Sequence, residues 1–144
     1  MLKGLDPLLS ADLLQVLRAM GHGDELAIVD ANFPAATMGR RVVRLDGVSA
    51  TRALEAVLSV VPLDDFVDEP CLRMEVVGDP DALPEVCAEF QTIIDRAENS
   101  RFPLAKLERF AFYERARQAF ALVQTGETRL YGNLLLKMGV VRPT

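Results

Sequence analysis

Glu25-Leu26-Ala27-Ile28-Val29-Asp30, with Asn32-Phe33-Pro34 close behind it, is the stretch on which the fold turns. Four apolar residues in a row, bounded by carboxylates and followed by turn formers, read as a short strand buried on both faces and its exit. A strand with one wet face would alternate apolar and polar side chains, and this one does not. It therefore needs a layer of cover on each side.

The flanking sequence supplies that cover. Upstream, Ser10 can cap a helix to Met20 whose Leu13, Leu14, Leu17 and Met20 recur at helical spacing, and Gly21 ends it. Downstream, Arg41-Val42-Val43-Arg44-Leu45 is a second short strand closed by Asp46-Gly47. Ser49 caps a helix carrying Leu54, Val57, Leu58 and Val61, with Pro62 as its stop. Cys71 to Val77 alternates Leu72, Met74 and Val76 against Arg73, Glu75 and Val77, and Gly78-Asp79-Pro80 breaks it. A helix follows from Pro84 to Glu98 through Val86, Phe90, Ile93 and Ile94. The rest reads as a strand near Lys106-Leu107-Glu108, a helix from Phe112 to Gln118, and strands Phe120 to Gln124 and Asn133 to Met138 joined across Gly126-Glu127. Helices alternating with buried strands predict an α/β fold: a three-layer α/β/α sandwich on a mixed, mostly parallel sheet, with an antiparallel pair near the end. Residues 1–144 form one domain, with no repeat, linker or low-complexity tract. Ligands of such sheets bind beyond the carboxyl ends of the strands, and Asp30, Ala31 and Asn32 lie at one of them.

Composition narrows the partners. The net charge is −5 and Lys/Arg pairs are short and scattered, which argues against nucleic-acid backbones and anionic membrane surfaces. No window approaches the roughly 20 apolar residues of a membrane span, and Met1-Leu2-Lys3-Gly4 leads into no secretory apolar region. Cys71 and Cys87 lack metal-site spacing and read as buried free thiols, so a reduced, cytoplasmic setting is expected. With a single histidine in the chain, a Cys/His zinc site cannot be assembled, and no metal or cofactor is expected.

That histidine, His22, lies between Gly21 and Gly23. It is the only side chain whose ordinary pKa, about 6.5, falls near neutrality, and its glycine neighbours leave it uncrowded. The same residues also read as a helix C-terminal cap. A phosphate cradle is excluded by order, since a helix precedes the glycines and a strand follows. Asp30 is a charge at the end of a buried strand, where it either needs partners or serves a turn. Arg109-Phe110-Ala111-Phe112-Tyr113-Glu114-Arg115 mixes aromatics with guanidinium, and Tyr131-Gly132-Asn133 sets polar side chains beside a glycine. Sugar sites are built from such parts: carboxylate, amide and Arg for hydroxyls, an aromatic face for ring C–H groups.

Together these segments resemble the RbsD/FucU family of sugar mutarotases, in particular its fucose branch. The likeness runs from Met20-Gly21-His22-Gly23-Asp24-Glu25 and Asp30-Ala31-Asn32-Phe33-Pro34, through Arg109 to Ala116, to Thr125-Gly126-Glu127 and Tyr131 to Lys137. It implies interconversion of the α and β anomers of a free monosaccharide, without metal or cofactor, on an RbsD-like sandwich. By position, His22 matches the acid/base histidine, and Asp30, Arg109, Tyr131, Gly132 and Asn133 match the sugar-binding positions. Gly23 and Arg109 favour the fucose branch over the ribose branch, while Asn32 departs from the histidine that bacterial fucose enzymes often carry. A non-catalytic monosaccharide-binding accessory protein would use the same contacts. One strain is visible: six extended residues from Asp24 to Asp30 span about 20 Å. Either the Gly-His-Gly loop folds back along the strand, or a neighbouring subunit completes the pocket. The family's ring-shaped homo-oligomers, with sites at subunit contacts, imply that Tyr131–Asn133 meets the His22 region of a neighbour.

Overall fold

A computed structural model describes all 144 residues. Six strands form one sheet: β1 (Glu25–Val29), β2 (Val42–Leu45), β3 (Cys71–Met74), β4 (Ala105–Leu107), β5 (Ala121–Thr125) and β6 (Leu134–Lys137). Their order is β2-β5-β1-β6-β3-β4. The pairs β2/β5, β5/β1 and β3/β4 are parallel; β6 runs antiparallel to both its neighbours, β1 and β3. The sheet is thus mixed and mostly parallel, with the last strand inserted at its centre rather than against β5.

Five helices cover it: α1 (Ala11–Ala19), α2 (Ala35–Met38), α3 (Ala50–Leu58), α4 (Glu85–Glu98) and α5 (Arg109–Gln118). β1 shows why two layers are needed. Leu26 and Ile28 pack with Leu13 and Leu17 of α1, Leu54 of α3 and Phe90 of α4. Ala27 and Val29 pack on the other face with Ala35 of α2 and with Phe112 and Ala116 of α5. Both faces of the strand are sealed, as its unbroken apolar run requires.

The caps lie where side-chain chemistry puts them. Ser10 accepts the Leu13 N–H and Ser49 the Arg52 N–H, each at 3.2 Å. Glu108, whose capping role the sequence reading missed, accepts the Phe110 and Ala111 N–H groups at 2.9 and 3.0 Å. It starts α5 three residues earlier than expected and places Arg109 at the first helical position. The one-turn α2 was also missed, being too short to show a period.

The strand expected over residues 71–77 stops at Met74, and all four of its residues are buried. Arg73, on the polar side of the alternation in this stretch, is nonetheless enclosed, because both sides of β3 are covered. Its guanidinium donates instead to the carbonyls of Met74 and Ala82 at 3.4 and 3.1 Å. Cys71 and Cys87 are buried free thiols, and burial pushes them up to about 12 and about 11, leaving them inert near neutrality.

The loop after β5 lies directly on the turn after β2. A Cβ at Gly126 would stand 1.9 Å from the Asp46 carbonyl oxygen, a backbone atom that cannot step aside. Gly126→Ala is expected to cost at least about 3 kcal/mol, read as a loss of soluble protein or a large fall in Tm.

Candidate functional site

The carboxyl ends of β1 and β3, the start of β6 and the first turn of α5 converge on one cleft of about 310 Å³. Asp30, Asn32, Arg109, Tyr131 and Asn133 line its polar part; Phe33, Met74, Val77 and Leu130 line its apolar part, with Tyr113 beside Arg109. The volume is at the small end of ligand sites, right for a single sugar ring.

Asp30 is the floor, 4% exposed. The Asn32 N–H donates to one of its oxygens at 3.0 Å and the Asn133 amide to the other at 3.1 Å. Asn133 Oδ1 in turn accepts the Asp30 N–H at 2.8 Å, which locks the amide's orientation. Burial raises the Asp30 carboxyl above the ordinary aspartate range, against the pull of the N–H groups of Asn32, Phe33 and Gly132 and of the Asn133 amide. A carboxylate with both oxygens accepting, and a raised proton affinity, is equipped to hold a sugar hydroxyl or exchange a proton with it.

Tyr131 adopts a left-handed backbone, φ +64°. Its hydroxyl oxygen accepts the Val77 N–H at 3.1 Å, so its own proton stays available for a ligand oxygen. Gly132 does not line the cleft; it forms the close-packed turn beneath it, facing Asp30. The Arg109 guanidinium donates to the Tyr113 hydroxyl at 3.2 Å and lies over the Phe110 and Tyr113 rings. Arg109 is exposed, and its remaining donors have no partner within the chain.

His22 is not in this cleft. It sits before the amino end of β1, at the opposite end of the strand from Asp30. Two backbone bonds of 2.8 Å, Gly23 N–H to Met138 O and Met138 N–H to Asp24 O, pin the turn to the end of β6. The loop is therefore not folded back along the strand. His22 Nε2 instead meets the buried Asp64 carboxylate at 3.0 Å, and the imidazole packs 4.9 Å from the Phe66 ring. Burial raises the Asp64 carboxyl, but the Phe66 N–H and His22 outweigh it and the net shift is downward. His22 is thus a held and oriented imidazole, its side chain 44% exposed.

So the structure brings Asp30, Arg109, Tyr131 and Asn133 together, with Gly132 under them, and leaves His22 apart. Sequence reasoning missed the wall formed by Met74, Val77 and Leu130, and it missed Asp64. Forty-two residues separate Asp64 from His22, and no local pattern signals such a pairing.

The profile of the RbsD / FucU transport protein family matches residues 3–141. The human fucose mutarotase is 48% identical over 97% of this chain and 94% of its own length. A solved protein described as a putative sugar binding protein superposes with a TM-score of 0.94 at 51% identity, over 99% of this chain and 97% of its own. The fucose mutarotase from Streptococcus pneumoniae, solved with L-fucose, gives 0.89 at 39% identity, over 98% of this chain and 100% of its own. No helix is long and apolar enough to cross a membrane. A profile match over almost the whole length, near-half identity to curated members and the same six-stranded sandwich leave one conclusion: the chain belongs to the RbsD/FucU family.

Proposed function

We propose that this protein is a fucose mutarotase, interconverting the α and β anomers of L-fucose by acid/base opening of the ring. The observation that carries the reading is the cleft itself. A buried carboxylate, a guanidinium, a phenol and an amide line one sugar-sized space together with Phe33, Met74, Val77 and Leu130. The polar groups suit ring hydroxyls; the apolar side chains suit a methyl group such as the one on C5 of a 6-deoxy sugar. The human and Streptococcus pneumoniae relatives, both fucose mutarotases, support the same choice.

The reaction needs only proton transfers from the protein. One group takes the proton of the anomeric hydroxyl while another protonates the ring oxygen, and the bond from C1 to the ring oxygen breaks to leave an open-chain aldehyde; C1 turns, and the freed hydroxyl closes on its other face with the two proton transfers reversed. No cofactor is needed for it. Asp30 and the Tyr131 hydroxyl are placed to touch sugar oxygens, and Arg109 and Asn133 to fix the hydroxyls. His22 is the remaining acid/base group, oriented by Asp64.

For His22 to act, a second copy has to bring it. Exposed apolar side chains mark both ends of the molecule: Phe66, Val67 and Val141 at the His22 end, Val77, Phe110 and Leu130 at the cleft mouth. Two different patches that cover one another make a head-to-tail contact, the kind that builds a ring when the rotation between copies closes. The unpaired, buried thiols suit a reducing, cytoplasmic compartment.

A sugar-binding accessory protein is the second reading, favoured by the family's description as transport proteins. Saturation-transfer NMR on L-fucose separates the two. The mutarotase reading expects faster exchange between anomeric protons on addition of protein; saturable fucose binding with unchanged exchange would replace it with the accessory reading.

A further inference from the structure

Loop 126–133 carries Tyr131, Gly132 and Asn133 but contains no helix or strand of its own. It nonetheless holds a bulky residue at positive φ, a conformation that persists only where the surroundings over-determine it. The Tyr131 carbonyl accepts from the Cys87 thiol at 3.5 Å, and a compact ionic brace lies beside the turn. Arg129 donates its Nε to Glu127 Oε2 at 3.1 Å and a terminal nitrogen to Glu127 Oε1 at 3.0 Å, a two-pronged grip. Its third nitrogen reaches Glu89 on α4.

Glu127 is 4% exposed and ties the loop to two further elements. Its carboxylate accepts the N–H of Ala50, the first residue of α3, at 3.3 Å, and the N–H of Arg129 at 3.2 Å. Its backbone carbonyl accepts the N–H of Ala31, the residue after Asp30, at 2.9 Å. The Tyr131–Gly132 turn rests on this side chain: a Cβ at Gly132 would lie 2.8 Å from Glu127 Cγ and 3.5 Å from Asp30 Cβ. Neither Glu127 nor Arg129 lines the cleft. The guanidinium holds the Glu127 carboxyl below the usual glutamate range, so it remains an ion at neutral pH.

We propose that Glu127 and Arg129 are positioning residues that set sugar affinity: the brace holds Tyr131 and Asn133 in their sugar-gripping geometry, in register with Asp30, without touching the sugar. The inference rests on the cleft being the sugar site. Tyr131 and Asn133 grip hydroxyls in ground state and transition state alike, so loosening them acts on KM more than on kcat.

Arg129→Ala and Arg129→Lys test this, with KM and kcat taken from exchange rates at increasing L-fucose and Kd from calorimetry. Arg129→Ala is expected to raise KM and Kd at least about tenfold with kcat within about threefold. Arg129→Lys keeps the charge but not the two-pronged grip and is expected to fall between it and wild type. Arg52→Ala is the control. It removes a similar two-pronged pair, Arg52 with Asp6 at 2.7 and 2.8 Å, away from the cleft, and is expected to alter Tm but not KM. If Arg129→Ala lowers Tm as Arg52→Ala does and leaves KM and Kd at wild-type values, the brace is only structural and the proposal falls. If Arg129→Ala does not fold, Arg129→Lys decides alone: an unchanged KM and Kd overturn the proposal. A wild type that binds fucose without speeding exchange refutes the mutarotase reading, and the Kd series still decides the brace.

Discussion

His22→Ala is expected to reduce the catalysed exchange of L-fucose anomers by about 10²–10⁴-fold, the usual contribution of one positioned acid/base group. The substitution leaves the cleft intact, because His22 touches none of its lining residues. Fucose affinity should therefore fall much less than exchange. The fold should survive as well: the side chain is partly exposed, and Asp64 keeps the Phe66 N–H at 3.1 Å as a partner. Saturation-transfer NMR measures the rate and calorimetry the affinity. Exchange at the wild-type rate would remove His22 from the mechanism.

Asp30→Asn carries the second large effect, an expected loss of about 10²-fold or more in exchange. Both Asp30 oxygens accept hydrogen bonds, from Asn32 and Asn133. An asparagine there presents one NH2 to a donor, disturbing the amide that Asp30 orients as well as removing the carboxylate. Stability should respond with a distinctive sign. Burial raises the Asp30 carboxyl in the folded protein, so the folded state binds the proton more tightly than the unfolded chain. That contribution to stability is fully present below the ordinary aspartate pKa and is lost as pH rises through the raised value. The variant lacks the titration. Its Tm relative to wild type should therefore become more favourable from acidic to neutral pH, and a difference flat with pH would contradict the raised pKa.

The two variants also test the subunit arrangement. Mixed under conditions that allow subunit exchange, His22→Ala supplies intact Asp30 clefts and Asp30→Asn supplies intact His22. If the site is shared between copies, activity should reappear, to at most about a quarter of wild type in an equal random mixture. Sites complete within one chain would recover none.

Much of this was legible along the chain. The run Leu26–Val29 demanded cover on both faces, and Ser10, Ser49 and Pro84 marked helix starts that the structure keeps. Local chemistry writes these signals: period, capping oxygens and proline geometry act over three or four residues. Glu108 was missed because a glutamate cap is rare, and Arg73 because alternation fails as a guide when both faces of a strand are covered.

The sandwich and the family are legible in the chain alone, and so are Asp30, Arg109, Tyr131 and Asn133 as polar residues that the structure gathers at one cleft, since each is carried by chain neighbours or by motifs in order. That β6 lies between β1 and β3, bringing Asn133 onto Asp30 across 103 residues, is visible in the folded chain alone. The tertiary structure alone placed Asp64 on His22 and Glu127 beneath Gly132. It also resolved the strain over β1: the Gly21–Asp24 turn is tied to Met138, so His22 stays a strand's length from the cleft. The physical reason is the same in each case. Strand pairing and buried hydrogen bonds join residues by spatial register, which no local period of the chain encodes.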